Sequence, residues 1–195
     1  MIVDLSHFDD LEPLAFQKMA LAGVTGFLHK ATEGITIRDL TYAARKVEAK
    51  QQAASLPWGA YHFFRPDDPT TQASHFLRYC GQPDDWALDY EDPKGELDAA
   101  ITFMEDVEKA VGKQMMIYGN RAVLGQQISV ASAAQKSFLS ARRLWWAEYD
   151  VQAPKIPSIW AKFDLWQWTQ SGRVAGVVGK CDLNTSSMLP FAAAA

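Results

Sequence analysis

Short runs of apolar residues alternate with longer amphipathic stretches along most of this 195-residue chain, and few folds accommodate that rhythm. The apolar runs predict strands over 2–5, 26–31, 58–64, 86–91, 115–118 and 144–149. Between them, 11–22, 38–54, 70–79, 96–111 and 133–141 read as helices. In 96–111 the apolar residues Leu97, Ala100, Ile101, Met104, Val107 and Val111 follow a 3.6-residue period. After 149 the rhythm changes. Apolar runs over 165–169 and 179–183 follow with no helix between them, and the glycines at 172, 176 and 179 predict a hairpin and a turn. Strands alternating with helices imply a largely parallel sheet with helices outside it. About eight strands close a β/α barrel, usually over at least about 200 residues. A barrel whose late strands lack helices fits the shorter length. An open doubly wound sheet is disfavoured, because no glycine-rich phosphate loop follows any strand. The expected fold is α/β, a single barrel domain over 1–190, with 191–195 a frayed alanine tail.

Charge and composition remove several classes of function. Lys and Arg number 19 against 23 Asp and Glu, a formal charge of −4. That lacks the basic excess of a protein that grips nucleic acid or anionic lipid. No apolar run approaches the roughly 20 residues that span a bilayer. Cys80 and Cys181, the two thiols, form neither a disulfide framework nor a metal-ligand spacing and are read as free. His7, His29, His62 and His75 lack the spacing of a zinc hydrolase, and no serine sits in a nucleophile elbow. Asp4 interrupts the N-terminus before any apolar signal core. If the protein works outside the cytoplasm, delivery without an ordinary cleaved signal is expected.

In a β/α barrel, functional side chains gather at the C-terminal ends of the strands. Those ends read Asp4, Lys30 with Glu33, Tyr61 with His62, Asp89 with Glu91, Tyr118, Trp146 with Glu148, Gln167 and Asp182. Asp89-Tyr90-Glu91 is the most informative group. Residues i and i+2 of a strand face the same way, with Cα atoms roughly 7 Å apart, so both carboxylates project to one side. Tyr90 then faces the helix layer. Repulsion and desolvation raise one of two such acids, leaving a proton donor beside a carboxylate. Glycoside hydrolysis uses that pair. Asp4 and Asp182 end apolar runs near the two termini, where barrel closure makes the first and last strands neighbours. Taken singly, each fits a cap or turn acid equally well. Five of the seven Trp lie between 145 and 168, which favours a glycan groove, although alternation sends about half of them into the core.

Several segments recur in order along the chain: Val3-Asp4-Leu5-Ser6, Lys30-Ala31-Thr32-Glu33-Gly34, Gly59-Ala60-Tyr61-His62-Phe63-Phe64 and Leu88-Asp89-Tyr90-Glu91. Ile117-Tyr118, Leu144-Trp145-Trp146-Ala147-Glu148-Tyr149, Leu165-Trp166-Gln167-Trp168 and Cys181-Asp182-Leu183-Asn184 continue the set. With them the chain resembles the family 25 glycoside hydrolases, the Chalaropsis-type lysozymes or N-acetylmuramidases. The resemblance implies a flattened β/α barrel that cleaves the β-1,4 bond from N-acetylmuramic acid to N-acetylglucosamine in peptidoglycan, without metal or cofactor; a monomer is expected. It assigns Glu91 as general acid/base, Asp89 to the substrate's N-acetyl group, and Asp4 and Asp182 to an acidic floor. Tyr61, Tyr118, Trp146 and Gln167 would contact sugar, and Glu33 would support the site. Either a retaining, substrate-assisted route or an inverting one is compatible with these residues. The opening motif departs from the family in reading Ser6-His7-Phe8-Asp9. Action on the cell wall after release at lysis or dedicated export would follow. Two other readings remain: a non-catalytic carbohydrate-binding barrel, and a glycosidase acting on another amino-sugar polymer such as chitin.

Overall fold

The computed structural model describes residues 1–186; the expected alanine tail lies outside the described residues. The first half of the chain runs β1 (Ile2–Leu5), β2 (Asp10–Leu11), α1 (Ala15–Leu21), β3 (Gly26–Glu33), β4 (Ile37–Arg38), α2 (Tyr42–Gln52), β5 (Trp58–Phe63) and α3 (Pro69–Cys80). The second half runs β6 (Asp85–Asp89), α4 (Leu97–Val111), β7 (Met116–Asn120), a π-helical turn (Arg121–Gly125), α5 (Gln126–Val130) and α6 (Ala133–Ser140). It ends with β8 (Arg143–Ala147), β9 (Leu165–Gly172), β10 (Val177–Val178) and β11 (Cys181–Ser186).

Eight strands close a barrel in the order β1-β11-β9-β8-β7-β6-β5-β3, and β1 pairs with β3 to complete it. From β1 through β3 to β9 each neighbour is parallel; helices make the crossovers as far as β8, and the helix-free segment 148–164 makes the one from β8 to β9. β11 is antiparallel to both of its neighbours. Among the described residues no helix lies between β9 and β11, so the chain returns directly and reverses direction. This corrects one detail of the sequence reading. Asp182 lies near the start of its strand rather than the end, and the reversal is what brings it to the same mouth, opposite Asp4. β4 adds to the outer end of β3, and β2 pairs with β10 as a separate ribbon.

Side chains alternate across the barrel wall. Ile2, Leu28, Tyr61, Ala87, Met116, Tyr118, Trp145, Ala147 and Leu165 fill the interior. Their strand neighbours Val3, Phe27, Ala60, Leu88, Ile117, Leu144 and Trp146 join the core beneath the helices. Gly59 is required inside: a Cβ there would meet Leu28 Cδ2 at 2.5 Å. The helices begin where local chemistry dictates. Asp68 caps α3 by accepting from Thr71 N at 2.8 Å, ahead of Pro69. Ser132 and Gln135 form a reciprocal capping box on α6. Cys80 and Cys181 are buried and unpaired. No helix among the described residues is long and apolar enough to cross a membrane.

Candidate active site

The mouth at the C-terminal ends of the parallel strands holds a cavity of about 170 Å³. Asp4 lines it from β1, Ser6 and Phe8 from the turn that follows, Lys30 from β3, and Tyr61 and Phe63 from β5. Asp89 and Glu91 line it from the end of β6 and just beyond, with Tyr118, Trp145, Gln167 and Asp182 completing the wall. β6 ends at Asp89, two residues short of Glu91. The backbone nevertheless stays paired, Tyr90 N donating to Tyr118 O at 2.9 Å. That extension keeps both carboxylates on the pocket side, while Tyr90 is buried outward against Phe64 and donates its hydroxyl to Gly95 O at 2.6 Å.

The floor is organised by amides. Gln167 Nε2 donates across the Asp4 carboxylate at 3.2 and 3.1 Å and to Asp182 Oδ2 at 3.1 Å. Its Oε1 accepts the hydroxyls of Tyr118 at 2.7 Å and Tyr149 at 2.5 Å. Asn184 Nδ2 donates to Asp4 Oδ2 at 2.6 Å, and Asn184 Oδ1 accepts from Trp145 Nε1 at 2.7 Å. Burial still pushes the Asp4 carboxyl well above its ordinary range; Asp182 adds to the rise, and Asn184 and Gln167 oppose it. Burial, then the charges of Asp9 and Glu91, push Asp182 up to about 6.

The Asp89–Glu91 pair has a different environment. Burial, then the nearby Glu91 charge, holds Asp89 well above the usual carboxylate range, with Lys30 opposing. Its Oδ1 is buried without a hydrogen-bond partner among the described residues. Such an orphan acceptor is costly unless something arrives to meet it. Glu91 is raised by burial, against the pull of Lys30 and Arg65. Those two cations belong to one chain of charges. Lys30 Nζ pairs with Glu33, whose Oε1 accepts from Arg65 Nε at 2.9 Å and Nη2 at 2.7 Å. Arg65 Nη1 continues to Asp92 at 2.8 Å. A β-bulge between Lys30 and Thr32 makes the Lys30–Glu33 pair possible: it shifts the alternation, so residues three apart share one face.

Seven of the residues singled out from sequence line the cavity: Asp4, Tyr61, Asp89, Glu91, Tyr118, Gln167 and Asp182. Glu33 stands one layer back, in the ion chain. Trp146 does not line it. Strand alternation turns Trp146 outward, 1% exposed in the outer core, with Nε1 on Glu148 Oε2 at 3.4 Å, and gives the inner position to Trp145. Trp145 packs on Tyr118 and Tyr61, with ring centroids 4.6 and 5.9 Å away. The sequence reading placed Lys30 at a strand end without giving it a role, and gave none to Phe63, Ser6 or Phe8, which also line the cavity. The parity of Lys30 with Leu28 was a usable signal; the turn carrying Ser6 and Phe8 gives none.

Residues 3–177 match the family described as glycosyl hydrolases family 25. The chain is 29% identical over 178 residues to the autolytic lysozyme of Clostridium acetobutylicum, covering 88% of this chain and 52% of that protein. It is 26% identical over 204 residues to lysozyme M1 of Streptomyces globisporus, covering 93% of this chain and 66% of that one. The chain thus spans about half to two thirds of the length of these two relatives. The crystal structure of the bacterial lysozyme from Streptomyces coelicolor superposes with a TM-score of 0.83 at 25% identity, covering 95% of this chain and 91% of that one. With the barrel closed in the order described and most of its length matched, the chain belongs to glycosyl hydrolases family 25.

Proposed function

We propose that this protein is a lysozyme, a 1,4-β-N-acetylmuramidase that hydrolyses the bond from N-acetylmuramic acid to N-acetylglucosamine in peptidoglycan glycan strands. The observation that carries this reading is Glu91, a raised carboxyl at the cavity wall beside a buried, partnerless Asp89 oxygen. The family membership and the names of the relatives support it.

In this reading the protonated Glu91 gives its proton to the glycosidic oxygen as the bond to the anomeric carbon breaks. The 2-acetamido oxygen of the same sugar attacks that carbon from the opposite face, forming an oxazolinium ion. Asp89 Oδ1 accepts the acetamide N–H, which orients the group and steadies the positive charge. Glu91, now a carboxylate, takes a proton from water as the water opens the oxazolinium ring, and the acid form is restored. Asp182 adds negative charge beneath the cationic centre, while the Gln167 amide fixes its position and that of Asp4. Tyr61, whose hydroxyl burial keeps protonated, serves as a donor along the wall, while Tyr118, whose O–H is given to Gln167, offers its oxygen as an acceptor.

Digestion of purified peptidoglycan by wild type and Glu91→Gln, with borohydride reduction and mass spectrometry, tests the assignment. New muramitol ends should come from wild type, with a loss of at least about a hundredfold in Glu91→Gln. New glucosaminitol ends would mean that the opposite bond is cut. Faster release from chitin than from peptidoglycan would shift the substrate, and tight glycan binding with no turnover would make the protein a binding barrel.

A further inference from the structure

The turn after β1 is fastened to the barrel from behind far more heavily than a surface loop needs. Within it, Asp9 N donates to Ser6 O at 3.1 Å, Ser6 N to Asp9 Oδ2 at 2.8 Å, and Phe8 N to Ser6 Oγ at 3.3 Å. Arg45, on α2, spans the turn from outside: Nη1 donates to Ser6 O at 2.7 Å and Nη2 to Asp9 O at 2.5 Å. The guanidinium is itself held by buried His29. His29 Nδ1–H donates to Lys30 O at 2.8 Å, leaving Nε2 to accept from Arg45 Nη1 at 3.2 Å. Burial lowers His29 to about 4, so the ring is neutral and available as that acceptor. Asp39 makes the second fastening, accepting His7 N at 2.7 Å and facing His7 Nδ1 at 3.1 Å. Thr41 N and Oγ1 donate to its other oxygen at 2.9 and 2.7 Å.

All this restraint ends on one side chain. The Phe8 ring rests against the His7 ring, with centroids 3.9 Å apart and planes at 37°, and it lines the cavity while remaining 81% exposed. An exposed aromatic ring held by a rigid support at a pocket rim suits the apolar C–H face of a sugar. We propose that Phe8 is a specificity-determining stacking platform for one sugar ring of the glycan, and that Arg45 is a positioning residue acting through the Ser6–Asp9 turn. This rests on the glycan-hydrolase reading above.

Steady-state kinetics on soluble peptidoglycan fragments, for wild type, Phe8→Ala, Arg45→Met, Arg45→Lys and the Phe8→Ala/Arg45→Met double variant, test it. Loss of a contact made equally in ground and transition states raises KM and spares kcat. Phe8→Ala and Arg45→Met should each raise KM by about fivefold or more, with kcat within about twofold. Arg45→Lys keeps the charge but reaches only one of the two carbonyls, and should lie between wild type and Arg45→Met. In the Phe8→Ala background Arg45→Met should add less than about twofold, because the two act through one contact. Unchanged KM in both single variants, with wild type active, would overturn the inference and leave the muramidase reading standing. A fall in kcat and melting temperature of equal size with or without Phe8 would reduce Arg45 to a structural role and overturn its part. A wild type that neither cleaves nor binds these fragments would remove the reading and the inference together.

Discussion

A single amide, that of Gln167, faces two carboxylates and two phenols at once, and all of its hydrogen-bonding capacity is committed. Gln167→Leu would leave Asp4 and Asp182 without a shared donor and both hydroxyls without an acceptor. Denaturant unfolding should show a loss of about 1–3 kcal/mol, and the rate on peptidoglycan should fall at least about tenfold because the floor loses its geometry. Arg65 offers a cleaner electrostatic test, since it pulls Glu91 down from outside the cavity lining. Removing that cation lets the Glu91 carboxyl rise further, so it keeps its proton to higher pH. The alkaline limb of kcat/KM in Arg65→Gln should therefore move upward, and a downward shift or none would contradict Glu91 as the acid. At this scale most of the cavity lining was legible in the sequence, because several acids and an amide fall together at strand ends, although each acid taken singly also fits a cap or turn. Trp145 and Trp146 show the limit. Two adjacent aromatics read alike, and only the register of β8 between β7 and β9 decides which one faces in.

Elements were legible where they were long and periodic. The eight barrel strands and the major helices fall close to the apolar runs that predicted them, whereas β2, β4 and β10 are two residues each and carry no periodicity to detect. The segment 121–130 breaks into a π-helical turn and a five-residue helix, too short to stand out. The direction of β11 was not legible either, since it depends on a missing crossover rather than on any residue in the strand. At the other end of the barrel from the site, Arg143 at the start of β8 grips Asp85 at the start of β6 with two bonds, at 2.6 and 2.5 Å. Arg143→Met strands a nearly buried carboxylate. The Arg143 side chain is 35% exposed, so the loss should be about 2 kcal/mol, below the roughly 3–5 kcal/mol of a fully buried pair. kcat/KM per folded molecule should stay at the wild-type value, which separates fold from site.

For the molecule as a whole, the acidic mouth trades stability for chemistry. The folded-state value of Asp182, about 6, lies above that of an unfolded chain. Its contribution is therefore fully favourable below about pH 4 and is lost as pH rises through 6. Asp182→Asn removes that loss. The variant should be more stable than wild type by about 1–3 kcal/mol at pH 7.5, with the gap closing as pH falls toward 4. The comparison must be between the two proteins, because buried His29 and His62, lowered to about 4 and about 3, make both less stable as pH falls below about 6.5. A pH-independent gap would mean that Asp182 carries no such burden.

The floor also has a history built into its connectivity. Asp4 meets Gln167 across 163 positions of sequence and Asn184 across 180. During synthesis the first of these residues leaves the ribosome long before the others exist, so a nascent chain lacks the complete acidic floor. The pairing of β11 with β1 therefore closes the barrel and completes the acidic floor in one event, after every other barrel strand has been made.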